Sequence, residues 1–163
     1  MTLAELNAFD RERFVQALGW IFENSPWVAE RAFDSRPFPD LDALHRAMIA
    51  RVEQAAPEEQ LALLRAHPDL GTRTRISVAS QGEQSGAGLD RLTPDEFERL
   101  TRLNSAYRDK FGFPFLFAVK GSTKDDILRA LKRRLQAAPA DEHRVALEQV
   151  SCIARFRLED SLR

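Results

Sequence analysis

Thr93-Pro94-Asp95-Glu96-Phe97-Glu98-Arg99-Leu100-Thr101-Arg102-Leu103-Asn104-Ser105-Ala106-Tyr107-Arg108-Asp109-Lys110-Phe111-Gly112 reads as one helix from start to stop. Thr93 and Glu96 form a capping box, each side chain serving the other's backbone N–H. Pro94 takes the first helical position, where a missing N–H costs nothing. Phe97, Leu100, Leu103, Asn104 and Tyr107 recur at helical spacing, and Gly112 is the left-handed residue on which helices commonly end. The basic Arg108 and Lys110 are expected to serve the helix dipole there.

The same signals repeat in both directions. Thr2-Leu3-Ala4-Glu5 is a second capping box, opening a short helix. Asp10 caps a helix with Phe14, Leu18, Ile21 and Phe22 at helical spacing. Ser25-Pro26, cap then proline, starts one through about Phe33, and Arg36-Pro37-Phe38-Pro39 is a loop. Asp40 caps a helix carrying Leu41, Leu44, Met48 and Val52. Ala56-Pro57-Glu58-Glu59 starts another, with Leu61 and Leu64, which ends near His67 because Pro68 disfavours helical geometry in the residue before it. Ser122 or Thr123 caps a helix holding Ile127, Leu128, Leu131 and Leu135, and Pro139 and Asp141 introduce the last, running to about Leu162. Phe113 to Val119 is short and mostly apolar, either extended or a buried connector. No internal repeat or domain boundary stands out. The expectation is an all-α fold, a single compact domain over residues 1–163 with about seven or eight helices.

Composition narrows the function. With 163 residues, 44% hydrophobic and 30% charged, the chain reads as globular and able to bury a core. A net charge of -1 without a basic block argues against a nucleic-acid partner. No apolar run reaches a membrane span, no signal-peptide layout is seen, and Ser161-Leu162-Arg163 reads as an ordinary helix end. The lone Cys152 excludes an intrachain disulfide, fits a reducing, cytoplasmic setting and reads as a small buried side chain. His45 and His143 look like ordinary helix residues, and no metal-ligand spacing occurs, so no metal is expected.

The chemistry-bearing residues cluster around the segment Pro68 to Arg91, which holds four glycines, little periodicity, and reads as a long loop. His67 stands at its entrance, either a helix-terminal cation or an imidazole that takes and returns a proton. In Ser80-Gln81-Gly82-Glu83-Gln84, glycine lets backbone N–H groups approach a ligand. Glu83 is then either a solvated loop carboxylate or the group that orients a substrate or the histidine, while Gln84 offers donor and acceptor. Arg157 falls on the apolar face of Val150 and Ile153 in the last helix. It either reaches the surface, pairs with an internal acid, or grips a substrate carboxylate. Arg155, four residues before Glu159, fits an exposed ion pair. Phe111, Phe113, Phe115 and Phe117 read mainly as core and can also wall a pocket for a flat heterocycle.

Taken in order, His67-Pro68-Asp69-Leu70, Glu83-Gln84-x-x-Ala87-Gly88-Leu89 and Leu103-Asn104-x-Ala106-Tyr107-x-x-Lys110-Phe111-Gly112-Phe113-Pro114-Phe115 resemble the 2-oxo-4-hydroxy-4-carboxy-5-ureidoimidazoline (OHCU) decarboxylase family. Leu6-Asn7, Ile21-Phe22-Glu23-x-Ser25-Pro26-Trp27 and Arg155-x-Arg157-Leu158-x-Asp160 extend the resemblance over nearly the whole chain. The stretch Gly71 to Ala79 departs from the often longer connection of many relatives.

The resemblance implies an all-helical, cofactor-free carboxy-lyase, often a homodimer, that completes conversion of urate to (S)-allantoin. It places the family's proton-handling histidine on His67, its glutamate on Glu83 and its C-terminal arginine on Arg157, with Arg155 as fallback. Its substrate-binding residues fall on Pro68, on Ser80, Gln81, Gly82 and Gln84, and on Phe115, Leu116, Phe117, Ala118 and Val119. The alternative is a non-catalytic helical module that binds a ureide or docks onto a pathway enzyme.

Overall fold

The computed structural model describes residues 1–72 and 76–163. Arg73, Thr74 and Arg75, within the stretch Gly71 to Ala79, lie outside the described residues. Among the described residues every regular element is helical: α1 Leu3–Ala8, α2 Arg11–Leu18, α3 Trp27–Ala32, a 3-10 turn Phe33–Ser35, α4 Leu41–Glu53, α5 Pro57–Ala66, α6 Val78–Gly86, α7 Pro94–Phe111, α8 Lys124–Arg134 and α9 Pro139–Ser161.

Most starts follow the sequence. Thr2, Asp10, Asp40, Thr93 and Thr123 each accept a backbone N–H three residues on, and Thr2, Thr93 and Thr123 complete capping boxes. Gly112 ends α7 at φ 80°, the left-handed conformation that glycine adopts without a side-chain clash. Three expectations change. Ser25 caps nothing: its hydroxyl donates to the Glu23 carbonyl at 2.8 Å, and Pro26 takes the cap position of α3. Helix α2 stops at Leu18, although Ile21 and Phe22 beyond it stay buried. Part of the expected loop is helix α6, capped by Ser77, whose side chain accepts from the Ser80 N–H at 3.1 Å. That cap supplies a start signal, and the two glycines inside α6 hide the pattern that would have marked it.

The chain divides into two compact units, Met1–Ala66 with Ser151–Arg163, and His67–Val150. In the first, α3 packs against α2 and α4. Its core gathers Leu6, Phe14, Leu18, Val28, Leu44, Met48, Leu63 and Leu64. Asn7 brackets Phe38, giving its amide to the carbonyl at 2.9 Å and taking the N–H at 2.8 Å. Phe14 lies edge-on to Phe33 with ring centroids 5.5 Å apart, and Arg36 lies over Phe33 at 3.5 Å. Cys152 is exposed rather than buried. Ala146, Val150, Ala154 and Leu158 mark the buried stripe of α9, and two residues past Val150 a helix has turned about 200° away from it.

In the second unit α7 packs against α8. Lys124 of α8 donates to Glu96 of α7 at 2.7 Å, and Glu96 also serves the capping box of its own helix. The Lys124 ammonium, then the Thr93 N–H, hold the Glu96 carboxyl down from the ordinary 4.5 to about 2. Because the folded value is lowered, this stabilisation is full above pH 4.5 and is lost as pH falls through about 2. Glu96→Gln should therefore destabilise the protein at neutral pH. Its deficit against wild type should shrink over that acid range in urea denaturation followed by circular dichroism.

Candidate active site

Helix α5 ends at Ala66, and His67 follows with 7% of its surface exposed, so the imidazole is held within the protein. The turn after it is fixed from two helices. Asp69 pairs with Arg108 of α7 at 2.6 Å, the Leu70 carbonyl accepts from the Asn104 amide at 2.9 Å, and the Gly71 N–H donates to Gln84 Oε1 at 2.8 Å. Gly71 has φ 73°, and a side-chain carbon there would stand 2.5 Å from Leu100. Only glycine satisfies both the backbone and the space.

Ser80, Gln81, Gly82, Glu83 and Gln84 are all helical, on α6. Ser80 and Gln84, one turn apart, are buried, Glu83 is half-buried, and Gln81 and Gly82 are exposed. This changes what the glycine offers. Inside a helix the N–H groups past the first turn are taken by the helix itself, so Gly82 is not a loop donor. A side-chain carbon at Gly82 would meet nothing within 4 Å, so the residue contributes a bare helix surface. The Gly71 N–H also sets the Gln84 amide: its oxygen is occupied and its nitrogen is the end left for another acceptor.

Phe113 to Val119 is a connector without regular structure, with Phe115, Leu116 and Val119 buried and Phe117 and Ala118 half-buried. Its backbone is held by side chains. Arg134 donates to the Leu116 carbonyl, and the Ala118 N–H donates to Gln149 Oε1 at 2.9 Å. The Phe117 and Val119 N–H groups on either side donate to no acceptor among the described residues. Phe115 and Phe117 stack at 6.0 Å, and Tyr107 sits among Phe111, Phe113 and Phe115.

Sequence reasoning missed what anchors this connector. Glu142, 1% exposed, accepts on one oxygen from the Tyr107 hydroxyl and from Arg134 Nε, each at 2.5 Å. Arg134 Nη2 lies equally close to that oxygen but makes no hydrogen bond there. The Arg134 guanidinium also covers the Phe115 ring at 4.6 Å. The only available signal was weak: an acid in the first turn of α9 reads as a dipole partner. Lys110, expected to serve its own helix end, donates to the Leu135 carbonyl at 2.6 Å.

Arg157 belongs to the first unit, 3% exposed. Nη2 pairs with the buried Glu23 at 2.9 Å, and Nη1 donates to the Trp20 and Ile21 carbonyls at 3.2 and 3.3 Å. Arg157 therefore does not reach the surface, and the internal acid that the sequence left open is Glu23. Arg155 makes the exposed pair with Glu159 at 2.7 Å that its spacing predicted, and also binds Asp42. His45 gives a ring nitrogen to the Ser151 carbonyl at 2.9 Å, and His143 lies edge-on to Phe113. Among the described residues, no three His, Cys, Asp or Glu side chains group to hold a metal ion. No helix there is long and apolar enough to cross a membrane.

A sequence profile described as OHCU decarboxylase matches residues 7–159. The chain belongs to the OHCU decarboxylase family. A relative from Haloferax volcanii named 2-oxo-4-hydroxy-4-carboxy-5-ureidoimidazoline decarboxylase is 49% identical over 160 residues, 98% of this chain and 95% of that protein. A solved OHCU decarboxylase, crystallised in the presence of (S)-allantoin, superposes with a TM-score of 0.71 at 25% identity, over 93% of this chain and 97% of that one. A solved (S)-allantoin synthase superposes at 0.79 with 36% identity over 99% of this chain. The present chain spans 54% of that longer protein.

The Tyr107 environment is open to direct measurement, because it is the chain's one tyrosine. Burial first, then the Glu142 carboxylate, push its phenol far above the ordinary 10.0. Alkaline titration should show no ultraviolet tyrosinate band until the protein unfolds. A band rising reversibly near the ordinary value would contradict the buried hydrogen bond.

Proposed function

We propose that residues 1–163 form one decarboxylase domain that converts 2-oxo-4-hydroxy-4-carboxy-5-ureidoimidazoline to (S)-allantoin and carbon dioxide by cofactor-free acid/base catalysis. The observation that carries this reading is His67, buried and mounted on a turn held by α6 and α7, in a chain matched by the family over residues 7–159.

The reactant holds its own electron sink. Its carboxylate sits on a carbon next to a ring C=N bond. When the bond to the carboxylate breaks, its electron pair enters the imine, whose nitrogen takes a proton from solvent, and leaves an enamine. The substrate hydroxyl gives up its proton as a carbonyl forms, and a proton is added to the ureido-bearing carbon on one face. The protein's task is to align the leaving carboxylate and to move those protons. In this reading His67 exchanges protons with the substrate and Glu83 orients the imidazole or the hydroxyl. Arg157, its head set by Glu23 and two carbonyls, grips the substrate. Gln84 offers its amide nitrogen, and the N–H groups of Phe117 and Val119, which no described residue engages, offer donors to ring or ureido carbonyls. Pro68, Ser80, Gln81 and Gly82 and the rings of Phe115 and Phe117, with Leu116 and Ala118 between them, complete the binding residues. The same reading includes a homodimer working in the cytoplasm.

His67→Asn should keep the fold by circular dichroism and lose roughly 10²–10⁴-fold in kcat on freshly generated substrate. The residual product should drift toward racemic allantoin, as spontaneous decay takes over. Near-normal turnover in that variant would remove His67 as the proton carrier. Wild-type protein that binds the substrate without consuming it would favour a binding module instead.

Gly82→Ala separates function from stability. Its new methyl meets open space in a helix, so stability should rise by about 0.5–1 kcal/mol. Turnover should fall if substrate lies against that surface. Unchanged kinetics in a stabilised variant would take Gly82 out of the binding residues.

A further inference from the structure

Leu100, Asn104 and Arg108 stand four residues apart and so form one stripe along α7. They meet three consecutive residues of the His67 turn in reverse order. Arg108 pairs with Asp69 at 2.6 Å, Asn104 donates to the Leu70 carbonyl at 2.9 Å, and Leu100 lies against Gly71 so closely that a side-chain carbon there would come within 2.5 Å. We propose that Asn104 and Arg108 are positioning residues for the decarboxylation, holding the turn that carries His67 in register on α7. This rests on the reading of His67 as the proton carrier.

Neither contact is explained by stability alone. Arg108 and Asp69 are 53% and 31% exposed, and pairs so exposed add little to folding. Asn104 is 4% exposed, and its Oδ1 has no hydrogen-bond partner among the described residues. An acceptor left empty in a buried amide offsets part of what the hydrogen bond to the Leu70 carbonyl contributes to folding. Both residues do one thing that leucine or alanine cannot: each ties a polar group of the turn to a rigid helix. Proton transfer is sensitive to such placement, since a misplacement of about 1 Å costs on the order of 10²-fold.

The experiment compares wild type, Arg108→Ala, Asn104→Leu, the single reversals Asp69→Arg and Arg108→Asp, and the charge-reversed pair that combines them, using freshly generated OHCU as substrate. Arg108→Ala should melt close to wild type and lose roughly tenfold in kcat, with KM changed by less than about twofold. Asn104→Leu should lose more, again in kcat. The charge-reversed pair should recover most of the kcat lost by either single reversal, which an arginine touching substrate would not allow. Folded variants with kcat within about twofold of an active wild type, a loss confined to KM, or a reversed pair no better than the singles would each overturn the proposal. Should Asn104→Leu fail to fold, the Arg108 variants decide. An inactive wild type is a separate result, which refutes the decarboxylase reading itself.

Discussion

The second unit is organised around a carboxylate that water cannot reach. Glu142 is 1% exposed, and a charge so placed survives only with partners that replace its hydration. Tyr107 from α7 and Arg134 from α8 supply them, so two helices are bound to the start of a third through one oxygen. Removing one member of such a set typically costs about 3–5 kcal/mol, because the remaining charge is stranded. Arg134 carries the constraint onward to the Leu116 carbonyl. The connector from Phe115 to Val119 therefore has a defined path without regular hydrogen bonding of its own, and its half-buried residues keep that path while staying accessible.

What the sequence revealed was local. Caps at Thr2, Asp10, Asp40 and Thr93 and the stop at Gly112 are decided by contacts within one turn of helix, and each is found where its residues place it. The i,i+4 pair of Arg155 and Glu159 is local in the same sense. What escaped depends on partners far along the chain. Glu142 reads as a first-turn acid until Tyr107, 35 residues earlier, is seen beside it. Glu23 gave no sign of meeting Arg157, 134 residues away. Helix α6 was hidden for another reason: Val, Ser and Gly all have modest or poor helix preference, and Ser77 and the tertiary hold of Gln84 on Gly71 outweigh it.

The candidate site was legible as an inventory more than as an arrangement. His67, Glu83 and the two binding segments stand out by residue type, but the sequence suggested a pliable glycine loop where the protein has a short helix. That difference alters the chemistry. A loop would offer backbone donors, whereas α6 offers a smooth face at Gly82 and side chains at fixed spacing, with Ser80 and Gln84 turned inward together. Groups fixed on a helix need less reordering when substrate arrives than groups on a free loop.

Cys152 lies on the outer side of α9, exposed, and it is the chain's one thiol. A maleimide dye or spin label will therefore attach at a single known place on that helix. The protein comes with a built-in handle for stoichiometric tagging, and every native side chain can stay as it is.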